Sequence, residues 1–268
     1  MSAMQIACCQ FNITWEDKPA NYKQAESRAR GADLPPGSLF VLPEMFNTGY
    51  SMNAAEITEP IDGPTATFLA ELATRYAIYV VAGAAIAGPS GRPRNEALAF
   101  GPDGRLLARY AKTYPFSSAG EHQHFERGTD IVGFDWHGCR VVLTVCYDLR
   151  FPELYRRAAA RGADLFTCIA NWPVMRADHW VTLIRARAIE NQAYVAGVNR
   201  SGRDPSFEYP GRTQIISPRG KVLEDAGDGD AVIRAEVDLE SLREYRKVFP
   251  PLSDLRPELL TDAELAAR

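Results

Sequence analysis

The sequence lacks the features that would assign it to a membrane-bound, secreted or nucleic-acid-binding class. No apolar run approaches the roughly 18 residues of a membrane-spanning helix, and the N-terminal segment has neither the basic start nor the long apolar stretch of a secretion signal. Positive charge is not in excess, because 30 Lys and Arg face 34 Asp and Glu and leave a formal net charge of −4. A phosphate backbone requires a basic surface. We therefore expect neither a membrane nor a nucleic acid as a partner.

Cysteine is scarce, and its pattern excludes several kinds of site. The five cysteines are Cys8, Cys9, Cys139, Cys146 and Cys168, an odd number with no Cys-x-x-Cys spacing. This pattern argues against a disulfide framework, a zinc ribbon and a thioredoxin-like redox pair. In a reducing compartment all five would be thiols, and a small buried apolar side chain is the default interpretation of each. Together with the missing secretion signal, this predicts a cytoplasmic protein.

Motifs for metals, phosphates and dinucleotides are also missing. The chain has four histidines, and only His122 and His124 have a spacing that could suit a metal, with no further ligand pattern around them. Gly227-Asp-Gly229 lacks the third glycine of a dinucleotide-binding loop, and neither a phosphate loop nor a Gly-x-Ser-x-Gly elbow occurs. The sequence thus predicts no metal and no cofactor.

What the chain does contain is an alternation of apolar, β-rich segments with helix-like segments. We predict strands at Met4–Gln10, Leu39–Leu42, Ile78–Ile86, Glu96–Phe100, Arg105–Tyr110, Ile131–Trp136, Cys139–Val145, Asp164–Ala170, Ala193–Val198, Thr213–Ser217, Val222–Ala226 and Ala231–Val237. We predict helices at Asn21–Arg30, Thr65–Tyr76, Pro152–Arg161, His179–Asn191 and Leu239–Arg246. Hairpins beside strand–helix–strand units predict one α/β domain with mixed sheets over residues 1–268.

Three chemically useful side chains follow apolar strands. Cys146 ends a continuous apolar strand just before a proline-initiated helix, which is the geometry of a nucleophile elbow with cysteine in place of serine. Glu44 follows another strand and could act as a general base, and Lys112 follows a third and could stabilise an oxyanion. Each has a plain alternative, namely a buried thiol, an exposed loop carboxylate and a surface lysine. Taken together, they are what thiol attack on an amide or nitrile requires.

At this point the chain resembles the nitrilase, or carbon–nitrogen hydrolase, superfamily over essentially its whole length. The motifs that carry the resemblance are Leu42-Pro-Glu44 with Phe46-Asn-Thr-Gly-Tyr50, Tyr110-Ala-Lys112, Ala119-Gly-Glu121-His122, Val145-Cys146-Tyr-Asp-Leu-Arg-Phe-Pro-Glu153, Asn171-Trp-Pro173, His179-Trp180, Arg185-Ala-Arg-Ala-Ile-Glu-Asn191, Asn199-Arg200, Arg243-Glu-Tyr-Arg246 and Phe249-Pro-Pro-Leu-Ser-Asp254. The segments Leu42–Phe46, Cys146–Pro152 and Ala188–Gly197 are similar to those of the bacterial omega-amidases, which hydrolyse the terminal amide of 2-oxoglutaramate and 2-oxosuccinamate. One segment departs from that branch: Thr113–Phe116 follows Lys112 where basic residues are usual.

The resemblance implies a fold and an assembly. The fold would be an α-β-β-α sandwich, in which two mixed sheets lie face to face with helices outside. The family usually dimerises across this sandwich, so we expect a homodimer or a higher homo-oligomer. The C-terminal tail from about residue 247 would pack at the oligomer interface.

The resemblance also implies roles for individual residues. Cys146 would be the nucleophile, Glu44 the general base, and Lys112 with the backbone N–H of Tyr147 the oxyanion partners. Glu121 matches the family's second glutamate, which would orient Lys112 and the substrate. A thioester on Cys146 would form and be hydrolysed without any cofactor.

The substrate-binding residues are predicted from position. A 2-oxo acid amide carries a carboxylate, so the pocket should contain a cation. We favour Arg176, in the loop after Asn171-Trp-Pro173, for this carboxylate, and we expect Arg150 to pair with nearby acids such as Asp148. Trp172 and Tyr50 would shape the pocket wall, although ordinary packing explains both equally well.

Three other functions stay open from the sequence. The same Glu-Lys-Cys triad could serve a true nitrilase, an N-carbamoyl amino acid amidohydrolase or an aliphatic amidase. A non-catalytic binding protein could use this fold, although such a protein would need none of the three residues. A cysteine–histidine hydrolase could use His179 as its base, although His179 is more simply a packed or capping residue near a helix start.

Overall fold

The structure is a computed structural model that describes residues 4–256 and 258. Its strands, labelled β1 to β14 in chain order, are Met4–Gln10, Leu39–Val41, Tyr79–Ala87, Pro93–Phe100, Leu106–Ala111, Gly133–Trp136, Cys139–Val145, Leu165–Ala170, Tyr194–Asn199, Ser201–Arg203, Glu208–Pro210, Gln214–Ile216, Val222–Asp225 and Ala231–Val237. Its helices, α1 to α7, are Lys18–Gly31, Ala54–Ile57, Pro64–Tyr76, Glu121–His124, Pro152–Ala160, Ala177–Asn191 and Leu239–Val248. Short 3-10 turns cover Ser117–Ala119, Cys146–Arg150, Val174–Arg176 and Pro251–Asp254.

Two six-stranded sheets form the centre of the molecule. The first has the order β14-β1-β2-β3-β4-β5 and the second the order β13-β12-β9-β8-β7-β6. In the first sheet β1, β2 and β3 run parallel, and in the second β7, β8 and β9 do, while the flanking pairs are antiparallel. The predicted mixed sheets are therefore confirmed. The remaining strands, β10 and β11, form a separate hairpin.

Successive side chains of each strand point to opposite faces of its sheet, so each sheet contributes to two apolar layers. In β1, Ile6 and Cys8 point toward the second sheet and join the core between the sheets, whereas Ala7 and Cys9 point to the other side. On that outer side they pack with α1 and α3. Helices α5 and α6 cover the outer face of the second sheet. This gives the four-layer α-β-β-α sandwich that the resemblance implied.

The element boundaries differ from the sequence predictions at the ends. Strand β4 begins at Pro93, three residues before the predicted start, because its pairing with β3 extends to Ala87. Helix α6 begins at Ala177 rather than His179, directly after a 3-10 turn. The short helices α2 and α4 and the β10–β11 hairpin were not predicted, since elements of three or four residues are too short to show a periodic apolar pattern.

Among the described residues, no helix has the length and apolar character needed to cross a bilayer, and the longest, α6, has 15 residues.

The segment after α7 packs back on the second sheet's helix α6. The backbone carbonyl of Phe249 accepts a hydrogen bond from Gln192 Nε2, directly after α6, at 2.8 Å. The predicted interface tail continues through residue 257 and residues 259–268, which lie outside the described residues.

Candidate active site

The structure brings the three strand-end residues together between the two sheets. Glu44 follows β2, Lys112 follows β5 directly, and Cys146 follows β7 directly. Lys112 Nζ lies 2.9 Å from Glu44 Oε1, with both side chains at 1% exposure or less. A buried ammonium needs such partners, since an unpaired one would be strongly destabilising. Lys112 is therefore not the surface lysine of the plain alternative.

Glu121 is the second carboxylate at this ammonium. It opens α4 and is fully buried, and its Oε2 and Oε1 lie 2.9 and 3.1 Å from Lys112 Nζ. Glu121 Oε2 also accepts hydrogen bonds from Tyr50 Oη at 2.9 Å and from the backbone N–H of Phe116 at 2.6 Å. Burial alone would raise the pKa of Glu121, but Lys112 and the N–H of Phe116 outweigh it, so the net shift is downward. Glu121 is thus an ionised support for Lys112.

Asn95 of β4 joins the two glutamates, and the sequence analysis did not identify it. Its Nδ2 donates to Glu44 Oε1 at 2.7 Å and to Glu121 Oε1 at 2.8 Å. Asparagine is depleted in strands. The presence of an asparagine beside an apolar strand was therefore the sequence feature that could have identified Asn95 as a candidate site residue. The predicted strand began at Glu96, which left Asn95 outside it.

Glu44 is fixed from the other side by the second sheet. The backbone N–H of Asn171 donates to Glu44 Oε2 at 2.8 Å, and Asn171 Nδ2 donates to the Glu44 carbonyl oxygen at 2.7 Å. Because β8 ends one residue earlier, this contact ties Glu44 to the sheet that carries Cys146. Both oxygens of the carboxylate therefore have defined partners before any substrate binds.

Cys146 lies at a sharp bend between β7 and the following 3-10 turn. Its φ of 46° is left-handed, a conformation that side chains other than glycine rarely adopt and that is enriched at functional sites. Asp148 holds the bend: its carboxylate accepts the backbone N–H groups of Val145 and Tyr114, each at 2.9 Å, and Tyr110 Oη at 2.8 Å. The same carboxylate thus links the bend at Cys146 to the loop after Lys112.

The charges of the site set the resting protonation states. Burial, followed by the negative charge of Glu44, raises the pKa of the Cys146 thiol well above its ordinary value, although Lys112 lowers it. Burial lowers the pKa of Lys112, but Glu121 and Glu44 outweigh it and the net shift is upward. The site therefore rests with a neutral thiol and a charged lysine.

The other four cysteines lie inside strands and do not line the pocket. Cys8, Cys9, Cys139 and Cys168 are all fully buried, and burial raises the pKa of each thiol. In the described residues, all five cysteines are free thiols. Cys146 differs from the rest in its bend and in its exposure to the pocket.

A pocket opens directly over Cys146. The residues that line it are Tyr50, Phe116, Cys146, Tyr147, Arg150, Asn171, Trp172, Pro173, Arg176 and Phe207. Tyr50, Trp172, Arg176 and Tyr147 all line this pocket, and their roles in substrate and oxyanion binding stay predictions. Phe116 belongs to the segment that departs from the omega-amidase pattern, so this departure reaches the pocket wall. Phe207 comes from the unpredicted β10–β11 hairpin, and the sequence carried no signal for it.

The expected pairing of Arg150 with Asp148 is wrong. The oxygens of Asp148 are occupied by the N–H and O–H groups that hold the elbow, and Arg150 extends the other way into the pocket. Its guanidinium lies 4.8 Å from the ring centroid of Trp172. Arg176 lies 5.2 Å from the ring centroid of Phe116.

The two pocket arginines lack a carboxylate partner within residues 4–256 and 258. The hydrogen bonds of Arg150 and Arg176 go to His179 Nδ1 at 3.1 Å and to the Met175 sulfur at 3.3 Å. Burial lowers the pKa of Arg150, and the positive charge of Arg176 contributes in the same direction. The pocket therefore presents positive charge that an anion could neutralise.

His179 is poorly placed to serve as the base of a cysteine–histidine hydrolase. It is exposed on α6, is absent from the pocket lining, and accepts the guanidinium hydrogen bond of Arg150 at Nδ1. In the described part of the chain, no group of three or more His, Cys, Asp and Glu side chains could hold a metal ion. The carboxylates of Glu44 and Glu121, whose charges act on the Cys146 thiol, are the candidates for acid–base chemistry there.

Comparison with known proteins identifies the family of the chain. The family model described as carbon-nitrogen hydrolase matches residues 5–247, and the chain belongs to this family. An omega-amidase of Yersinia enterocolitica is 38% identical over 97% of this chain and 100% of its own length. A 2-oxoglutaramate amidase of Bacillus subtilis is 33% identical over 95% of this chain and 98% of its own. The protein is a hydrolase of carbon–nitrogen bonds in non-peptide amides.

Solved structures place the fold in the same superfamily. A CN-hydrolase superfamily protein of Xanthomonas campestris, solved with an arsenic adduct in its active site, superposes with a TM-score of 0.90 at 32% identity and covers 96% of this chain and 98% of its own. An amidase mutant from Nesterenkonia sp. AN1 has a TM-score of 0.82 at 26% identity, covering 96% of this chain and 95% of its own. That structure shows covalent addition of the acetamide moiety of fluoroacetamide at the active site cysteine.

Proposed function

We propose that the protein is an omega-amidase that removes ammonia from the terminal amide of a short, carboxylate-bearing substrate such as 2-oxoglutaramate or 2-oxosuccinamate. The observation that carries this proposal is the pair of arginines in the pocket over Cys146, neither of which has a carboxylate partner among the described residues. Relatives at 33% and 38% identity bear the names 2-oxoglutaramate amidase and omega-amidase.

The first half of the reaction acylates the enzyme. Glu44 accepts the proton of the neutral Cys146 thiol while the sulfur adds to the amide carbon, so no free thiolate accumulates. The carbonyl electrons move to the oxygen, and Lys112 with the backbone N–H of Tyr147 stabilises the resulting oxyanion. When the carbon–nitrogen bond breaks, Glu44 returns the proton to the nitrogen and ammonia leaves. A thioester on Cys146 remains.

The second half releases the acid product by the reverse sequence of proton transfers. Glu44 removes a proton from water while the water oxygen adds to the thioester carbon, again against Lys112 as the oxyanion partner. The carbon–sulfur bond then breaks, and Glu44 returns its proton to the Cys146 sulfur. Glu121 contacts neither reacting atom in this scheme and serves to hold Lys112. In both halves of the reaction Glu44 carries the transferred proton, and the Cys146 sulfur is regenerated as a thiol.

The far end of the substrate is bound by the pocket arginines. A carboxylate between Arg150 and Arg176 would relieve the repulsion between the two guanidinium groups, which together with burial lowers the pKa of Arg150. Trp172 fixes Arg150 by stacking, and Phe116 does the same for Arg176. The aromatic walls limit the length of the chain between carboxylate and amide, which favours a short substrate.

The test is ammonia release by the purified protein from a panel of matched substrates. The panel contains the ω-amides of 2-oxoglutarate and 2-oxosuccinate, neutral aliphatic amides of the same length, N-carbamoyl amino acids and nitriles. We expect the highest kcat/KM for the carboxylate-bearing ω-amides. Better turnover of neutral amides, of nitriles, or of carbamoyl acids with release of carbon dioxide would replace the proposal by the corresponding alternative. Turnover of none would favour a binding protein.

We also propose that the domain over residues 1–268 forms a homodimer, with the tail from about residue 247 at the interface. The supporting observation is that Val248 and Phe249, where α7 ends, are 73% and 57% exposed, which is unusual for large apolar side chains. Sedimentation of the wild type and of Val248→Ser/Phe249→Ser tests this, since the double variant should shift to monomer. The cytoplasmic location stays a prediction from the cysteine pattern.

A further inference from the structure

Asn95 occupies a central position in the buried charge cluster. Its Nδ2 contacts Glu44 Oε1 at 2.7 Å and Glu121 Oε1 at 2.8 Å, the same two oxygens that Lys112 Nζ contacts at 2.9 and 3.1 Å. The backbone carbonyl of Asn95 also accepts the N–H of Lys112 at 2.9 Å. Asn95 therefore touches Glu44, Glu121 and Lys112, and it is 1% exposed.

The hydrogen bonds of Asn95 define the orientation of its amide. A flipped amide would point its carbonyl oxygen at two carboxylates, which repel it, so the NH₂ group must face Glu44 and Glu121. The remaining oxygen, Oδ1, is buried and has no hydrogen-bond partner among the described residues. Leaving a buried acceptor unpaired is destabilising. A residue selected for stability alone would avoid this arrangement, so the two N–H donors point to a functional role.

The cluster has more negative than positive charge. Two carboxylates share one ammonium, and like charges in close proximity favour protonation of one of them. Hydrogen bonds donated to a carboxylate oppose this protonation. Asn95 supplies one N–H to each carboxylate without adding a positive charge, whereas a second cation would weaken Glu44 as a base toward the Cys146 thiol. An amide is the side chain that meets both requirements.

We propose that Asn95 is a positioning residue whose N–H donors hold the carboxylate of Glu44 aligned for proton transfer with Cys146. This role rests on the proposed function, because it requires Glu44 to be the base. Asn95 makes no hydrogen bond to Cys146 and does not line the pocket, so it acts through Glu44, Glu121 and Lys112. Its loss should therefore affect the proton-transfer step, and substrate binding at Arg150 and Arg176 should be largely unchanged.

Asn95→Leu is the principal variant, because leucine has nearly the same size and removes both N–H donors. We expect kcat to fall about 10-fold to 100-fold, the loss typical of a hydrogen bond to a charged group, while KM changes little. The acidic limb of the kcat/KM profile should move to higher pH by about one pH unit, so that activity recovers partly at alkaline pH. Asn191→Leu is the matched control, since Asn191 is also buried with an unpartnered Oδ1 but lies on α6 outside the pocket. It should keep the wild-type pH profile.

A second measurement does not depend on the substrate class. The rate of Cys146 alkylation by iodoacetamide, followed by peptide mass spectrometry as a function of pH, reports proton removal from the thiol by Glu44. The wild type, Glu44→Gln and Asn95→Leu are compared. We expect Glu44→Gln to be slowed at all pH values, and Asn95→Leu to be slowed at low pH and to approach the wild type at high pH. Asn95→Asp keeps the size, replaces the donors by a third carboxylate, and should move the acidic limb further up.

The outcomes separate the two proposals. If Glu44→Gln alkylates like the wild type, Glu44 is not the base and the proposed mechanism fails. If Glu44→Gln is slowed while folded Asn95→Leu and Asn95→Asp both keep the wild-type pH profiles, the mechanism survives and the role of Asn95 is overturned. A drop in kcat without any shift of the acidic limb would also overturn it, since that result describes a structural residue.

Discussion

Gly83 of β3 lies against the backbone of Glu44 so closely that no side chain fits between them. A Cβ atom on Gly83 would lie 2.6 Å from Glu44 Cα and 2.7 Å from Met45 N. Both neighbours are backbone atoms, and backbone hydrogen bonds from Gly83 to Pro43 and from Phe46 to Gly83 hold the two segments together at 3.1 Å. The position of Glu44 thus depends on the absence of a side chain at Gly83 on the neighbouring strand.

Gly83→Ala should displace Glu44. We expect kcat/KM to fall by about 10-fold or more, because misplacing a catalytic group by a fraction of an ångström is costly, together with a lower Tm. Gly31→Ala is the control, since a Cβ at Gly31 meets nothing within 4 Å. Steady-state kinetics and thermal unfolding of both variants test the prediction, and wild-type kinetics for Gly83→Ala would contradict it.

Cys146→Ala should abolish turnover, whereas the same change at Cys8, Cys9, Cys139 or Cys168 should leave most of it. The reason is that Cys146 alone lies at the bend over the pocket, while the others pack inside strands. Ammonia release by the five folded variants checks this. An equal loss from Cys139→Ala would refute the assignment.

Lys112→Met should slow acylation of Cys146 by about 100-fold or more, the effect of losing one oxyanion partner. Acid quenching early in the reaction followed by intact-mass measurement should trap the acyl adduct in the wild type and far less in the variant. Removing the ammonium also leaves Glu44 and Glu121 buried without a cation, so a Tm measurement must accompany the kinetics. Normal acylation in a folded variant would show that Lys112 is only structural.

Arg176→Ala and Arg150→Ala should each raise KM for the oxo-acid amide and spare a neutral amide of equal length. Both guanidinium groups line the pocket, and each would lose a charge-assisted contact with the carboxylate, which contributes about 1.5–3 kcal/mol. The ratio of kcat/KM for the two substrates measures this directly. If both variants keep the wild-type ratio, the carboxylate binds elsewhere and the Tyr50 loop is the next region to test.

Asp148→Asn should remove a pH-dependent part of the stability. Burial raises the pKa of Asp148 to about 6, although the N–H of Val145 and the charge of Lys112 lower it. This pKa is above that of an aspartate in the unfolded chain, so the folded state binds the proton more tightly. The Asp148 carboxyl group therefore adds to the free energy of unfolding as the pH falls through about 6 toward about 4. Wild type minus variant stability should therefore be about 1 kcal/mol larger at pH 5 than at pH 7.5. Urea unfolding at the two pH values measures it, and an equal difference at both would contradict the prediction.

The sequence was sufficient to predict where the three chemical groups lie along the chain. Apolar runs end just before Glu44, Lys112 and Cys146, and strand ends can be read from local patterns of hydrophobicity and breakers. Most strands and long helices were predicted within a few residues for the same reason. The predicted start of β4 was wrong because pairing with β3 extends the strand back to Pro93. Such an extension depends on the neighbouring strand and not on the local sequence.

The tertiary structure decided which groups meet and in which charge state. Asn95 became part of the site only because β4 pairs with both β3 and β5 and places its amide between Glu44 and Glu121. Arg150 turned away from Asp148 because the elbow N–H groups already occupy that carboxylate. Side-chain direction and burial are properties of the packed chain, and the local sequence determined only that a thiol, a carboxylate and an amine would each follow a strand.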